Sequence, residues 1–142
     1  MSSFVFVFGT LKEGFPNFAT NRGLRQPGVF ATKERYPLYL VGERHSPWLI
    51  DTPGRGEHVL GQVFEVNAET LAQMDLLERV NQPDGYERLR IDVVSRSEKT
   101  ATPMAVFAYL KPAARLDGAV LMAGPLAEYT LGHAALYRHW QR

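Results

Sequence analysis

Phe4-Val5-Phe6-Val7-Phe8-Gly9-Thr10-Leu11-Lys12-Glu13-Gly14 is the stretch that decides how this chain folds. Five consecutive apolar residues predict a buried strand, and the glycine after them lets the main chain turn without a clash at Cβ. The amides beyond the turn lack a neighbouring strand to bond with and can converge on a carboxylate or an oxyanion. A core strand followed by an ordinary turn explains the same pattern, so the local sequence leaves both interpretations open.

The composition is typical of one globular domain. With 142 residues, of which 45% are hydrophobic and 22% charged, we expect a single domain over residues 1–142. A net charge of +1 gives no general attraction to nucleic acid or to an anionic membrane. The chain has no cysteine, which excludes disulfides and a cysteine nucleophile. The apolar N-terminal run is too short for a signal or membrane segment, and we therefore predict a cytoplasmic protein.

Most of the chain is predicted to form strands. Besides the N-terminal run, the apolar or alternating segments are residues 38–41, 59–66, 89–93 and 104–110. A polar run at residues 95–100 is expected to be an exposed hairpin connection. These patterns predict a mixed α+β domain made mostly of strands, with helices outside the sheet.

Two helices are predicted. The first begins at Asn67, a good N-cap, and continues to about Arg79. The second follows Gly124-Pro125, where residues recur at helical spacing and predict a face packed on the sheet: Leu126, Tyr129, His133, Leu136, Tyr137 and Trp140. Once both helices are packed no obvious apolar stripe is left over, and we therefore expect a monomer.

Glu78 is the candidate functional residue that stands out in the first helix. At about 100° per residue from Leu71, Met74 lies at about 300° and Glu78 at about 340°, within the apolar stripe. Burying an ionised carboxylate is costly, and burial raises its pKa toward the range in which it can both accept and donate a proton near neutral pH. The alternative is a structural ion pair with Arg79, Arg88 or Arg90.

Three segments, in order over roughly residues 4–110, resemble the gamma-glutamylcyclotransferase-like family. Val7-Phe8-Gly9-Thr10-Leu11 is similar to its N-terminal signature of an aromatic residue, glycine, threonine or serine, and leucine. The continuation through Lys12, Gly14 and Asn17 resembles the gamma-glutamylamine cyclotransferase branch. The later similar segments are Pro47-Trp48-Leu49 with Pro53-Gly54-Arg55-Gly56, and Asp75-Leu76-Leu77-Glu78 with Tyr86-Glu87-Arg88.

The resemblance implies a barrel-like sheet with flanking helices, and an enzyme. Glu78 falls where the family carries its catalytic glutamate, the general acid and base for lactam formation within a small gamma-glutamyl substrate. That reaction releases 5-oxoproline and an amine and needs no enzyme nucleophile, metal or cofactor. The implied substrate-binding groups are Phe8, the amides of Gly9, Thr10, Leu11 and Lys12, and a wall formed by Pro47, Trp48 and Leu49.

Some roles stay open at this stage. Phe8 stands where the family usually has tyrosine, so the pocket loses a phenolic hydroxyl. Tyr86 either closes the pocket or packs on the barrel, and Lys12 either pairs with a substrate carboxylate or is solvated. None of the histidines has a metal-ligand spacing such as His-Glu-x-x-His. The main alternative to an enzyme is a binding or regulatory domain that captures a small anionic metabolite in the same pocket.

Overall fold

Strands dominate the computed structural model of the protein, which describes residues 2–98 and 101–138. The strands are β1 (Ser2–Val7), β2 (Leu24–Arg25), β3 (Phe30–Thr32), β4 (Leu38–Val41), β5 (Ser46–Leu49), β6 (Leu60–Asn67), β7 (Glu87–Ser95), β8 (Met104–Leu110) and β9 (Leu121–Ala123). The α-helices are α1 (Ala68–Leu77) and α2 (Leu131–Ala134), and short 3₁₀ turns lie at Phe18–Thr20 and Ala113–Leu116. In the described ranges, no helix is both long and apolar enough to span a bilayer.

Five strands close into a barrel. Strand β1 pairs with β8 on one side and with β6 on the other, and the ring continues from β8 through β7 and β3 back to β6. Strand β2 adds to β6 beside the ring. The β1–β8 pair is parallel and the other pairs in the ring are antiparallel. The expected α+β fold with a barrel-like sheet is confirmed.

Strand β1 is covered on both faces. Phe6 belongs to the apolar cluster inside the barrel, together with Val63 and Val106. Val5 and Val7 belong to a second cluster, which lies between the barrel and α1. Side chains alternate between the two faces of a strand, and a strand buried on both faces therefore needs an unbroken apolar run. The N-terminal sequence supplies that run.

A smaller sheet lies beside the barrel. Strand β4 pairs with β5 and with β9 in antiparallel order. Isolated bridges join it to the rest of the fold, and one of them pairs Ile50 with Lys111 just beyond the end of β8. The sheet therefore holds β5 close to the carboxyl ends of β1 and β8.

The first helix begins and ends close to where the sequence predicts. The Asn67 side chain accepts a hydrogen bond from the Thr70 amide at 2.8 Å, as an N-cap does. Met74 is fully buried in the cluster between barrel and helix. The helix ends at Leu77, and Glu78 is its C-cap residue.

The predicted second helix is wrong in its extent. Residues 121–123 form β9, and α2 covers only Leu131–Ala134, with Thr130 as its cap. The backbone before α2 bonds to strands instead of to itself: the Leu126 amide donates to Leu38, and the Ala127 carbonyl accepts from Leu60. Tyr129 is fully buried without being helical. Trp140 and part of the predicted hairpin connection (residues 99 and 100) lie outside the described residues.

Met74 is the side chain that anchors α1, and with it Glu78, to the barrel. Replacing Met74 with alanine is expected to lower the free energy of unfolding by about 2–5 kcal/mol, because it leaves a cavity in a fully buried cluster. Urea denaturation followed by circular dichroism measures this change. Gln73→Ala, on the exposed face of the same helix, is the matched control and should change stability by less than about 0.5 kcal/mol.

Candidate active site

A cavity of about 480 Å³ opens where β1, β5 and β8 end and where α1 ends. This volume lies within the usual range of small-molecule sites. The cavity is lined by the end of the first strand and its turn (Phe6, Val7, Phe8, Gly9, Thr10, Leu11), by Ser46, Pro47 and Trp48, by Leu76, Leu77, Glu78 and Arg79, by Asp84 and Tyr86, and by Tyr109, Lys111, Arg115, Asn17, Arg44 and Tyr137. Three segments distant in sequence therefore meet in one cleft.

The turn after β1 presents unpaired amides to this cavity. The Lys12 amide donates to the Gly9 carbonyl at 3.1 Å and closes the turn. Among the described residues, neither the Thr10 nor the Leu11 amide donates a hydrogen bond to a protein group. Both residues line the cavity, so these two N–H groups are available to an anion.

Gly9 is required by close packing. A Cβ at this position would lie 2.9 Å from Cγ of Pro47, and no side chain fits there without a shift of β5. The backbone φ of Gly9 is not positive, so a left-handed conformation is not the reason for a glycine here. Gly9 is needed because the turn packs closely against Pro47 in the opposite wall of the cavity.

Asn17 fixes the conformation of the turn. Its Nδ2 donates to Oγ1 of Thr10 at 2.8 Å and to the Tyr137 hydroxyl at 3.3 Å, while its amide donates to the Thr10 carbonyl at 2.8 Å. Both Asn17 and Thr10 are buried. The Thr10 carbonyl shares a peptide plane with the Leu11 amide, so the orientation of that amide is set before any ligand binds.

Glu78 lies in the cavity wall directly after α1. Its amide donates to the Met74 carbonyl at 2.9 Å, and its carbonyl accepts from the Tyr86 amide at 3.0 Å. The residue is half-buried, but its carboxyl group is closely surrounded by protein, and this burial raises the pKa of Glu78 to about 7. The positive charge of Lys111 acts in the opposite direction.

Among the described residues, Glu78 forms no ion pair with Arg79, Arg88 or Arg90, which was the alternative role considered for it. Arg79 pairs with Asp84 at 2.9 Å, and Arg88 pairs with Asp75 at 2.5 Å. The guanidinium of Arg90 lies 4.6 Å from the centre of the Phe107 ring. An arginine partner would lower the pKa of a carboxyl group, whereas the pKa of Glu78 is raised.

The loop that follows Glu78 is tightly held. Arg79 has a positive φ of 55°. A Cβ on Gly85 would lie 1.7 Å from the Arg79 carbonyl oxygen, so only glycine allows the two ends of the loop to pack together. Residues 79–86 therefore form a rigid support that orients Glu78 toward the cavity.

The opposite wall consists of aromatic and proline side chains. The Tyr86 hydroxyl donates to the Pro47 carbonyl at 2.8 Å and lies 3.4 Å from Oγ of Ser46. Tyr86 lines the cavity and packs between β5 and the loop, and its role in closing the pocket over a substrate stays a prediction. Trp48 and Phe8 also line the cavity. Their roles in binding a substrate stay predictions.

Two of the expected binding residues do not reach the cavity. The Lys12 side chain is buried, its Nζ donates to the Tyr129 carbonyl, and it lies 4.3 Å from the centre of the Phe15 ring. Leu49 is fully buried in the barrel cluster, so its side chain is not available to the cleft. The Lys12 amide is likewise used within the turn.

The sequence reasoning missed Lys111 and Tyr109. Lys111 follows the apolar strand β8 as Gly9 follows the apolar strand β1, and a buried strand ending in a charged residue was the available signal. The Tyr109 hydroxyl donates to Asp75 at 2.7 Å.

Among the residues that the structure describes, no three histidine, aspartate or glutamate side chains converge as metal ligands would.

Comparisons with known proteins agree on one family. Residues 5–128 match the family model described as gamma-glutamyl cyclotransferase, AIG2-like. The chain is 40% identical to a gamma-glutamylaminecyclotransferase of Bos taurus over 74% of its own length, and 37% identical to one of Homo sapiens over 72%. It spans 63% of the bovine relative and 72% of the human one.

The fold matches a solved structure along nearly its whole length. The crystal structure of an AIG2-like protein from Mus musculus superimposes with a TM-score of 0.78 and 28% sequence identity. The match covers 99% of this chain and 97% of the mouse chain. The barrel and the segments around the cavity therefore belong to an architecture that has been observed experimentally.

Burial of Glu78 should make the protein less stable as the carboxyl group ionises. Because the pKa rises from 4.5 unfolded to about 7 folded, the native state binds more protons between these values, and stability falls as pH increases through this range. Complete ionisation of Glu78 should lower the free energy of unfolding by roughly 3 kcal/mol relative to its protonated form. Glu78→Gln has no such group, so its free energy of unfolding should exceed that of the wild type by an amount that grows from pH 4.5 to pH 8.

Urea denaturation at a series of pH values measures this difference. Glu87→Gln, at an exposed position of β7, is the matched control, and its difference from the wild type should stay nearly constant with pH. A constant difference for Glu78→Gln as well would contradict the burial of an ionisable carboxyl group at this site.

Proposed function

Since the chain belongs to the gamma-glutamyl cyclotransferase, AIG2-like family, we propose that it releases 5-oxoproline and a free amine from a gamma-glutamyl amine. The observation that carries this proposal is the placement of Glu78. A carboxyl group with a pKa of about 7 lines the same cavity as the unpaired amides of Thr10 and Leu11. Such a group exchanges a proton readily near neutral pH.

The proposed reaction takes place within the substrate. Its α-amino nitrogen attacks its own γ-carbonyl carbon, a five-membered lactam closes, and the bond to the leaving nitrogen breaks. Attacker and electrophile belong to one molecule, so the main task of the protein is to hold a reactive conformer. In ideal intramolecular cases such preorganisation contributes up to about 7–11 kcal/mol.

Glu78 is proposed to move the protons. Its carboxylate accepts a proton from the α-ammonium group, which frees the nitrogen lone pair for attack. That first proton passes on to solvent. As the nitrogen bonds to the γ-carbon, the carboxylate takes a second proton from it, and the resulting carboxylic acid donates this proton to the leaving nitrogen as its bond to carbon breaks. The lactam nitrogen keeps one hydrogen, the amine departs neutral, and Glu78 is regenerated as a carboxylate. One group with a pKa near neutrality suits both steps, because neither direction of transfer is strongly uphill.

The rigid walls of the cavity support this role. The loop from Arg79 to Tyr86 holds Glu78, and the contact of Tyr86 with Pro47 ties this loop to β5. Phe8 and Trp48 offer apolar surface to the methylene groups of a gamma-glutamyl chain. The names of the bovine and human relatives favour an amine as the leaving group.

The proposal also covers the setting of the reaction. We expect a cytoplasmic monomer that acts on a small molecule without a cofactor and without a nucleic-acid or membrane partner. The net charge of +1 supports the absence of general electrostatic attraction to polyanions. Sedimentation equilibrium of the purified protein checks the expected monomer.

Incubation with gamma-glutamyl amines tests the reaction. The purified protein is mixed with a panel that includes gamma-glutamyl-ε-lysine, and 5-oxoproline is quantified by chromatography. The wild type should form the lactam, whereas Glu78→Gln should lose at least about 100-fold in kcat, because the amide cannot accept the proton. Glu87→Gln, outside the cavity, should keep wild-type activity.

Two results would contradict the proposal. If no member of the panel is converted while a substrate analogue still binds, the protein is a binding domain that captures a small anionic metabolite. If Glu78→Gln forms the lactam at the wild-type rate, the reaction occurs but Glu78 is not its acid and base.

The pH dependence of the reaction should follow Glu78. The carboxyl group must be ionised in the free enzyme to accept a proton, so kcat/KM should rise with pH and level off above about 7. Initial rates at low substrate concentration between about pH 3.5 and pH 8 measure this profile. An inflection near pH 4.5, the ordinary value for glutamate, would show that the carboxyl group is not perturbed in solution.

A further inference from the structure

Lys111 lies just beyond the end of β8, as Gly9 lies beyond the end of β1. Strands β1 and β8 are parallel neighbours, and Val5 is in register with Phe107. Both segments therefore leave the sheet at the same end of the barrel, where Gly9 and Lys111 line the cavity. Adjacent strands are about 4.8 Å apart, so Lys111 and the turn that presents the unpaired amides belong to neighbouring segments of one site.

The ammonium group of Lys111 is buried and firmly held. Lys111 is only 3% exposed, and its Nζ donates to the Asp84 carbonyl at 2.7 Å. The same nitrogen lies 4.6 Å from the ring centre of Trp48 and 4.4 Å from that of Tyr86. An ammonium group has three donors, of which the Asp84 carbonyl takes one. Lys111 thus places a positive charge in the wall of the cavity, with N–H donors beyond the one that bonds to Asp84.

Lys111 and Glu78 face the same space without forming an ion pair. The positive charge of Lys111 lowers the pKa of Glu78, and the negative charge of Glu78 raises that of Lys111. Arg115, Asp84 and Arg44 are the other charged groups that act on Lys111. Tyr86 and Tyr109 are the phenols that feel the charge of Glu78. Both residues line the same cavity, so the two charges can act on one bound molecule.

We propose that Lys111 is a second catalytic residue, whose ammonium group stabilises the negative charge that develops on the γ-carbonyl oxygen of the substrate. This inference rests on the proposed function. The amides of Thr10 and Leu11 then hold the α-carboxylate of the same substrate. The sequence left undecided whether those amides bind the carboxylate or the oxyanion, and a buried cation at the same edge of the barrel assigns each anion its own site.

The proximity of Lys111 to Glu78 favours this assignment. Glu78 must reach both the attacking and the leaving nitrogen, and in the tetrahedral intermediate both are bonded to the γ-carbon. The γ-oxygen is bonded to that same carbon, and Lys111 lines the same cavity as Glu78, so its ammonium group is placed to bind this oxygen. The carboxylate at Cα is further along the chain and can extend to the turn after β1.

The charges balance through the reaction. As the bond from the α-nitrogen to the γ-carbon forms, the π pair of the carbonyl moves onto oxygen beside the Lys111 ammonium, and the nitrogen proton passes to Glu78. When the carbonyl re-forms, the bond to the leaving nitrogen breaks and Glu78 returns the proton to it. Lys111 remains protonated throughout. Burial lowers its pKa to about 8, so it is charged at neutral pH.

Lys111→Met tests this role, because methionine keeps an unbranched side chain and removes the charge. We expect kcat for lactam formation to fall about 100- to 1,000-fold, as for the loss of one oxyanion donor, while KM changes less than about threefold. The inflection of kcat/KM near pH 7 should move to higher pH, because Glu78 loses the neighbouring positive charge. Lys111→Arg should retain a larger fraction of the activity.

Lys33→Met is the matched control, since Lys33 is exposed and lies outside the cavity. It should leave kcat, KM and the pH profile unchanged. Urea denaturation of each variant separates a catalytic effect from a loss of folding. Lys111 also supports the loop through Asp84, and a purely structural role would lower stability without shifting the pH profile.

The outcomes separate this inference from the proposed function. If the wild type forms no lactam from any substrate, the proposed function fails and the role of Lys111 fails with it. If the wild type is active and Lys111→Met has the same kcat, only the role of Lys111 is overturned. An increase in KM at constant kcat would also overturn it, because Lys111 would then bind an anionic group equally in the ground state and the transition state.

Discussion

The pairing of β1 on both of its edges is the constraint on which the rest of the structure depends. By bonding to β6 on one side and β8 on the other, this strand closes the five-stranded ring and leaves no free edge in it. Its two faces fill separate apolar clusters, one inside the barrel and one beneath α1. Its end is therefore fixed in space, and the turn from Gly9 to Lys12 is fixed with it.

The placement of Glu78 illustrates how a stable scaffold carries a destabilising group. Met74 holds α1 on the barrel, and the Arg79–Tyr86 loop is closed by packing on Gly85. Against this support, the carboxyl group of Glu78 is kept in surroundings that favour its protonated form. Active sites commonly retain such an unfavourable group, because its altered proton affinity is what the chemistry uses.

Local patterns were sufficient where one element decides a residue's environment. The apolar run of β1, the Asn67 cap and the burial of Met74 in α1 all follow from neighbours within a few residues. The second helix failed because the spacing from Leu126 to Tyr137 resembles a helix, while the backbone there bonds to β4 and β6. Hydrogen bonds between segments so distant in sequence cannot be predicted from the residue pattern of one segment alone.

The sequence by itself determined the fold class, the family resemblance, the turn after β1 and Glu78 as the candidate acid and base. Only the tertiary structure decided which side chains share the cavity with Glu78. It turned the Lys12 and Leu49 side chains away and brought in Lys111, because β1 and β8 pair in parallel and the segments after both strands line one cavity. Strand register is a relation between distant segments, and it is fixed by the closure of the barrel as a whole.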